Sequence, residues 1–370
     1  AVPSISLNNM NDANELISFI ASMSGEGNLR VEENLGEGYV RLRVSEAERR
    51  QAKHDIQHVE DIVIEMLRNA RDAGADKVYL ATTKEEGVRP LLFLDNGSGV
   101  PQDMQERIFD ARVTSKLESM KMDRWGVHGR GMALFSIKQN TDEARVVSSG
   151  VDLGSSFKVR VATERLGERA DQSSWPQAVK DEDGRYVCAR GPHNIIRAAC
   201  EFALEELRCC DVYLGSPSEI AATLYAQASS RLDTSRLLFI DDECELPVID
   251  RLGLASDAED FIRICSGLGL EMSERTAHRI LSGQIKPVRG VTARLLRERD
   301  STSHAPAPID LAKDRRGLRI AKDDMAQFSR AVERDFNDLA ARYYLNLCGD
   351  PKIRVSRDRI TVTFDLAKEE

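Results

Sequence analysis

Three short stretches between Glu65 and Gly131 hold the side chains best suited to chemistry. In Glu65-Met-Leu-Arg-Asn69-Ala-Arg-Asp72-Ala73-Gly74, the residues Glu65, Asn69 and Asp72 stand four and three apart and share one helix face. Such a trio reads either as a solvated face or as a ligand site. In the second reading the Asn69 amide oxygen holds a magnesium ion and the Glu65 carboxylate polarises a water. The stretch Leu91-Leu-Phe-Leu94-Asp95-Asn-Gly97-Ser-Gly99 is an apolar strand that delivers one carboxylate to a rim. Asp95 could accept a hydrogen bond from an exocyclic amine such as adenine's, with Gly97 and Gly99 letting backbone pass closely. The same residues also suit a plain Asn-Gly turn. The third stretch is Gly126-Val-His-Gly129-Arg130-Gly131-Met132. Glycines ahead of a helix leave backbone amides open to cradle phosphates, and the helix N-terminus adds attraction. A glycine cluster alone says little; the three stretches in this order say much more.

The elements that must position these residues are visible in the pattern. From Glu46 to Ala73, Ile56, Val59, Ile62, Val63, Met66 and Leu67 recur at helical spacing, and Gly74 ends the helix. Lys77–Thr82 and Leu91–Leu94 read as strands joined by a polar turn over Lys84–Pro90. Pro101–Trp125 is loop-rich, and Gly126–Gly131 opens a helix through Asn140. Residues 110–131 hold few large apolar anchors, the composition of a lid that ligand contacts order. Strands follow at Ala144–Ser148 and Phe157–Ala162.

With 370 residues, 41% hydrophobic and 31% charged, the chain can bury more than one core. No apolar run is long enough for a membrane span, and Ala1–Asn14 lacks a signal-peptide pattern. The seven cysteines have no CxxC spacing, and Cys209 adjoins Cys210, which suits free thiols in a reducing cytoplasm. A net charge of −9 argues against a protein coated in nucleic acid, without excluding a local basic patch.

Residues 56–162 resemble the GHKL ATPases, the superfamily of gyrase B, heat-shock chaperones, histidine kinases and mismatch-repair MutL. Glu65-x-x-x-Asn69-x-x-Asp72-Ala73 looks like its N box, Asp95-x-Gly97-x-Gly99 its G1 box, and Gly126-x-x-Gly129-x-Gly131 its G2 box. Gly154-Ser155-Ser156-Phe157 is similar to the Gly-Thr strand at the adenine site, with Ser155 where threonine is usual. The resemblance implies a two-layer α/β sandwich, a mixed sheet covered by helices, that binds ATP with Mg²⁺ in the cytoplasm. It implies that Glu65 is the general base, that Asn69 ligates the metal, and that Asp95 reads the adenine amine. It puts Gly129, Arg130, Gly131 and Met132 at the phosphates, Asp72 in the same site, and Lys116 as a candidate γ-phosphate sensor. Histidine kinases usually carry Asn where this chain has Glu65. Together with Thr114-Ser115-Lys116, that points toward the MutL and type VI topoisomerase B branch. His54 and His58 lack the context of a phosphoacceptor and read as surface or packing residues. A histidine-kinase-like protein without its acceptor domain is the alternative.

The sequence divides into an arm (1–50, with a helix around Ala13–Met23), the ATP-binding domain (51–165) and a small α/β domain (166–250). A helical region (251–300) follows, then, past a linker at Ser301–Pro308, a C-terminal helix and strand pair (301–370). At the start of the small α/β domain, residues 165–190 read as a linker or surface excursion. After it come helix Asn194–Arg208 with Asn194 as N-cap, strand Asp211–Leu214, helix Ser218–Ser229 and strand Leu237–Ile240. The closing helix is expected at Asp323–Leu347, with strands at Ile353–Val355 and Arg359–Asp365. Between Arg275 and Arg299 seven Lys/Arg face one carboxylate, Glu298, in a segment resembling a helix-turn-helix. If that segment reads duplex DNA, Arg275, Thr276, His278 and Arg279 face the groove. If it does not, it is a packing unit with a basic face. The expected function is ATP hydrolysis that couples nucleotide state to lid closure and to partner or homodimer contacts. An ATP-gated DNA-binding regulator is the other reading.

Overall fold

The five-stranded sheet that carries the site begins with two strands that are apolar on both faces. In the computed structural model, which describes residues 31–115, 121–123, 125–128, 131–169, 171–207, 209–232, 242–296, 322–340, 345–355 and 360–368, these strands follow a hairpin and two helices. The hairpin is β1 (Val31–Gly36) and β2 (Tyr39–Leu42), and the helices are α1 (Glu46–Asp55) and α2 (Val59–Asp72). The expected helix at Ala13–Met23, strand at Leu237–Ile240 and linker at Ser301–Pro308 lie outside the described residues.

The single helix expected from Glu46 to Ala73 is two. Ile56 is extended, and the Asp61 carboxylate accepts the amides of Gln57 and His58 at 3.0 and 2.8 Å, which starts α2 afresh. The hydrophobic spacing runs through the break because Ile56 and Val59 enter the same core.

β3 (Lys77–Thr82) and β4 (Val88–Asp95) then pair antiparallel. After β5 (Val113–Thr114), which pairs with β2, come β6 (Lys121–Asp123) and β7 (Gly126–His128), a hairpin in the stretch expected to be loop and helix start. The helix there, α3, runs only over Ala133–Asn140. β8 (Glu143–Ser149) and β9 (Ser155–Ala162) follow, then a second hairpin, β10 (Gln177–Lys180) and β11 (Tyr186–Arg190), inside the expected surface excursion. α4 (Ile195–Glu205) is capped by Asn194, whose side-chain oxygen accepts the Arg197 amide at 2.8 Å. β12 (Asp211–Gly215) and α5 (Pro217–Arg231, N-cap Ser216) complete this part.

The sheet order is β12-β3-β4-β9-β8, with β12 parallel to β3 and the other pairs antiparallel. β12, from the stretch expected to be a separate small α/β domain, therefore forms the edge of the sheet that carries β3 and β4. By contacts the chain splits into residues 1–299 and 300–370.

One sheet face, with Val78, Leu80, Leu91, Phe93 and Val159, packs on α2, α3 and α4, giving the expected two-layer sandwich. The other face, with Tyr79, Ala81, Leu92 and Leu94, is covered as well, by α5, α6 (Ala258–Gly267) and α7 (Glu274–Leu281). Burial on both faces explains why β3 and β4 read as unbroken apolar runs and not as alternating ones. The short helix α8 (291–296) sends Val291 and Leu295 into the first core.

The unit from residue 300 onward contains α9 (Lys322–Ala340) and two strand pairs, β13 (Leu345–Leu347) with β16 (Leu366–Lys368) and β14 (Lys352–Val355) with β15 (Ile360–Thr363). α9 ends earlier than expected, and its last predicted residues form β13. Phe336 stacks on Phe364 with centroids 4.0 Å apart.

Gly154 has φ +76°, and a Cβ there would lie 2.1 Å from the Asp95 carbonyl oxygen; Gly184 has φ +77° and open space around it. Gly184→Ala is expected to cost about 1–2 kcal/mol from backbone strain alone. Gly154→Ala is expected to cost at least about 2 kcal/mol more, since backbone must also move. Urea unfolding of the two variants measures the difference.

Candidate functional site

α2 is held against the sheet by Ile62, Val63, Met66 and Leu67, all buried, which turns the Glu65–Asn69–Asp72 edge toward a cleft. That cleft is a cavity of about 630 Å³. Of the residues singled out in the sequence, Glu65, Asn69, Asp72, Asp95, Gly99, Gly131, Met132 and Ser155 line it. Residues far apart in the chain thus meet around one space.

Asp95 ends β4, buried, and its Oδ1 accepts the Gly97 amide at 2.8 Å. Opposite it in the sheet register is Ser155, first residue of β9. Ser155 is buried too, with its hydroxyl 3.2 Å from that of Ser149. Gly97 is not in the lining. Its place is at the end of α2, where a Cβ would sit 2.9 Å from both the Ala73 Cβ and the Ala73 carbonyl oxygen. Its role is close packing, which lets the Ser98 amide donate to Ala73 at 2.9 Å.

The third motif contributes differently from expectation. Gly126 opens strand β7, and the helix starts only at Ala133 with Met132 as N-cap. Gly131, at φ +69°, lies so close to β5 that a Cβ would be 2.8 Å from the Val113 oxygen. Lys116, Gly129 and Arg130 lie outside the described residues.

Charged groups beyond those read from the sequence stand in the cavity wall, as Arg68 and Arg112 do, or pack behind it, as Arg71 does. Arg68, between Glu65 and Asn69, is buried and its Nη1 donates to Glu65 Oε1 at 2.7 Å. Arg71 donates to Asp72 at 2.9 Å, to Glu206 at 3.0 Å and to Asp123 at 3.1 Å. Burial opposes its charge, but the hydrogen bonds it donates to Glu206, Asp72 and Asp123 prevail and hold its guanidinium above the usual range. Arg112, at φ +64°, pairs with Glu48 and also lines the cavity, as does Thr114. Arg68 was in plain view inside the first motif. Only its burial beside Glu65 marks it as part of the site.

The donors suit a hard cation. Glu65, Asn69 and Asp72 offer oxygens to the same cavity. Among the described residues no group of three His, Cys, Asp or Glu could hold a metal alone.

A sequence profile of the histidine kinase-, DNA gyrase B-, and HSP90-like ATPases matches residues 56–169. Over those residues the chain is similar to the GHKL-type ATPase domains. The DNA mismatch repair protein MutL of Thermodesulfovibrio yellowstonii is 32% identical over 93 residues, 25% of this chain and 17% of the relative. MutL of Borreliella afzelii is 28% identical over 104 residues, 27% of this chain and 16% of the relative. The chain thus spans about a sixth of the length of these curated relatives. The catalytic domain of histidine kinase ThkA aligns with 43% of this chain and 96% of its own, at 12% identity and a TM-score of 0.20. The GHKL assignment supports ATP binding by this domain.

The two upstream histidines stay outside the cavity. His54 is exposed near the end of α1, and His58 is the N-cap residue of α2. All seven cysteines are free thiols, as expected. No helix among the described residues is long and apolar enough to cross a membrane.

In the helix-turn-helix-like segment, Arg275, His278 and Arg279 are exposed and line a shallow recess with Ser282 and Gln284. Thr276 is half-buried and serves the cap of α7. Its amide donates to Ser273 Oγ at 3.4 Å, and the two hydroxyls are 3.0 Å apart. The segment is no free-standing reader, since α6 and α7 pack on the sheet through Phe261, Ile264, Ala277 and Ile280.

Proposed function

We propose that this chain hydrolyses ATP with Mg²⁺ and couples nucleotide state to the hairpin β6–β7 and to contacts with a partner or a second copy. The observation that carries the reading is the convergence of Glu65, Asn69, Asp72, Asp95, Gly131, Met132 and Ser155 on one cavity. Asp95 accepts the exocyclic amine of adenine, supported from behind by Ser155. The amides around Gly131 and Met132 face the phosphates, where donors aimed at growing charge contribute most. Glu65 orients the attacking water and takes its proton as the water oxygen bonds to the γ-phosphorus and the bond from that phosphorus to the β–γ bridging oxygen breaks, releasing ADP and inorganic phosphate. A magnesium ion held by the Asn69 amide oxygen would neutralise charge on the phosphate oxygens.

Asp95→Asn is expected to keep the fold and lose most ATP affinity, because an amide presents a donor where the adenine amine needs an acceptor. Calorimetry on the folded variant checks this, and unchanged affinity would remove Asp95 from the adenine site. Glu65→Gln is expected to bind ATP and lose turnover by about 10²–10⁴-fold, the usual share of a positioned base. Single-turnover hydrolysis decides it, undiminished rate being the adverse result.

A second reading, nucleotide-gated DNA binding, is favoured by the exposed Arg275, His278 and Arg279 on α7. β9 supports it, for Ser155 lines the cavity while Ser156 donates to the Leu268 carbonyl beyond α6 at 2.7 Å. Replacing Arg275 and Arg279 with alanine is expected to abolish mobility shifts of duplex DNA and leave ATP binding intact. Phosphate contacts weaken steeply with salt, so the assay belongs at about 50 mM. Absence of wild-type binding there would make the patch a solvated or protein-facing surface.

A further inference from the structure

Arg68 stands at the junction of two structural parts. Its Nη1 donates to Glu65 Oε1 at 2.7 Å and its Nε to Asp123 Oδ2 at 3.0 Å. The Arg68 side chain is 3% exposed and that of Asp123 8%, so the bond between them is largely shielded from water, while Glu65 is 22% exposed. Arg71, one turn on, donates to the same Asp123 oxygen at 3.1 Å. Asp123 ends β6, and its Oδ1 accepts the Trp125 amide at 3.0 Å. The Trp125 ring in turn stacks on Phe202 of α4, centroids 6.2 Å apart. Among the described residues, the Asp123 carboxylate and the Trp125 indole tie the hairpin β6–β7 to α2 and α4, and that carboxylate shares a guanidinium with Glu65.

A planar guanidinium bonded on two edges cannot rotate without breaking one bond. Asp123 fixes the plane of Arg68, and Arg68 fixes the oxygen of Glu65. We propose that Arg68 is a positioning residue for Glu65, held in register by Asp123, so that ATP hydrolysis requires the hairpin to be seated. The inference rests on the hydrolysis reading above and adds residues that no motif assigns. Small displacements of a reacting group are costly: about 1 Å of misplacement can lower a rate by 10²-fold.

The test uses the full chain with Trp175→Phe, which leaves Trp125 as the only one of the two tryptophans. Arg68→Gln is expected to lower kcat by about tenfold or more while KM and the affinity for a non-hydrolysable ATP analogue stay within about twofold. Asp123→Asn is expected to lower kcat as well, and to red-shift Trp125 emission as the indole leaves Phe202. The double variant is expected to be no slower than Arg68→Gln alone, because the two residues act through one chain of bonds. Arg68→Lys is expected not to restore the rate, since a single ammonium cannot hold two carboxylates on separate edges. Wild-type kcat in an Arg68→Gln variant that binds the analogue normally would overturn the positioning role and leave hydrolysis standing. Multiplying losses in the double variant would overturn it too. A wild-type chain that binds the analogue and turns over no ATP would remove the hydrolysis reading and this role together. If Arg68→Gln fails to fold, Asp123→Asn and Arg68→Lys carry the same comparison.

Discussion

The site exists because three pieces of backbone approach more closely than a side chain would permit. A Cβ at Gly99 would lie 1.8 Å from the Gly150 oxygen, and one at Gly154 would lie 2.1 Å from the Asp95 oxygen. Through this seam the end of β4, the β8–β9 loop and the end of α2 lock together. The Asp152 amide donates to Ser98 at 2.7 Å, and Ser98 donates to Ala73 at 2.9 Å. Asp95 is thereby fixed beside Ser155 on one side and the α2 carboxylates on the other. Without the seam the same residues would be three unrelated turns.

The seam also ties the cavity to the far side of the sheet. The Leu153 carbonyl in the β8–β9 loop accepts the Val248 amide at 2.8 Å. Arg251 reaches back to Ser148 at 2.6 Å, and Lys158 pairs with Glu271 at 2.8 Å. β9 alternates as any strand must, so Ser155 serves the cavity and Ser156 serves α6. A displacement of β9 would be felt on both faces of the sheet at once.

Charge inside such a site carries a cost that only partners offset. Arg68 and Arg71 are both largely buried, and both are hydrogen-bonded to more than one carboxylate. Removing any one carboxylate would leave a desolvated cation with fewer bonds, which is far more destabilising than losing a surface pair. This network ties Asp123, at the end of β6, to α2.

Much was legible in the sequence because it depends on local geometry. The helical spacing of Glu65, Asn69 and Asp72 fixes their common face, and the apolar run before Asp95 fixes its place at a strand end. Asn194 announced the start of α4 because capping is a matter of a few adjacent residues. What the tertiary structure decided was contact between distant segments. The break between α1 and α2 was hidden because Ile56 stays in the core across it. Gly97 read as a ligand residue, and its close packing against Ala73, 24 residues away in the chain, was not visible in the sequence. β12 looked like part of a separate small α/β domain over residues 166–250, since nothing in its own residues names β3 as its partner. Arg68 looked like an ordinary helix arginine. Its position between Glu65 and Asp123 exists only once residues 55 apart in the chain have been brought within 3.0 Å.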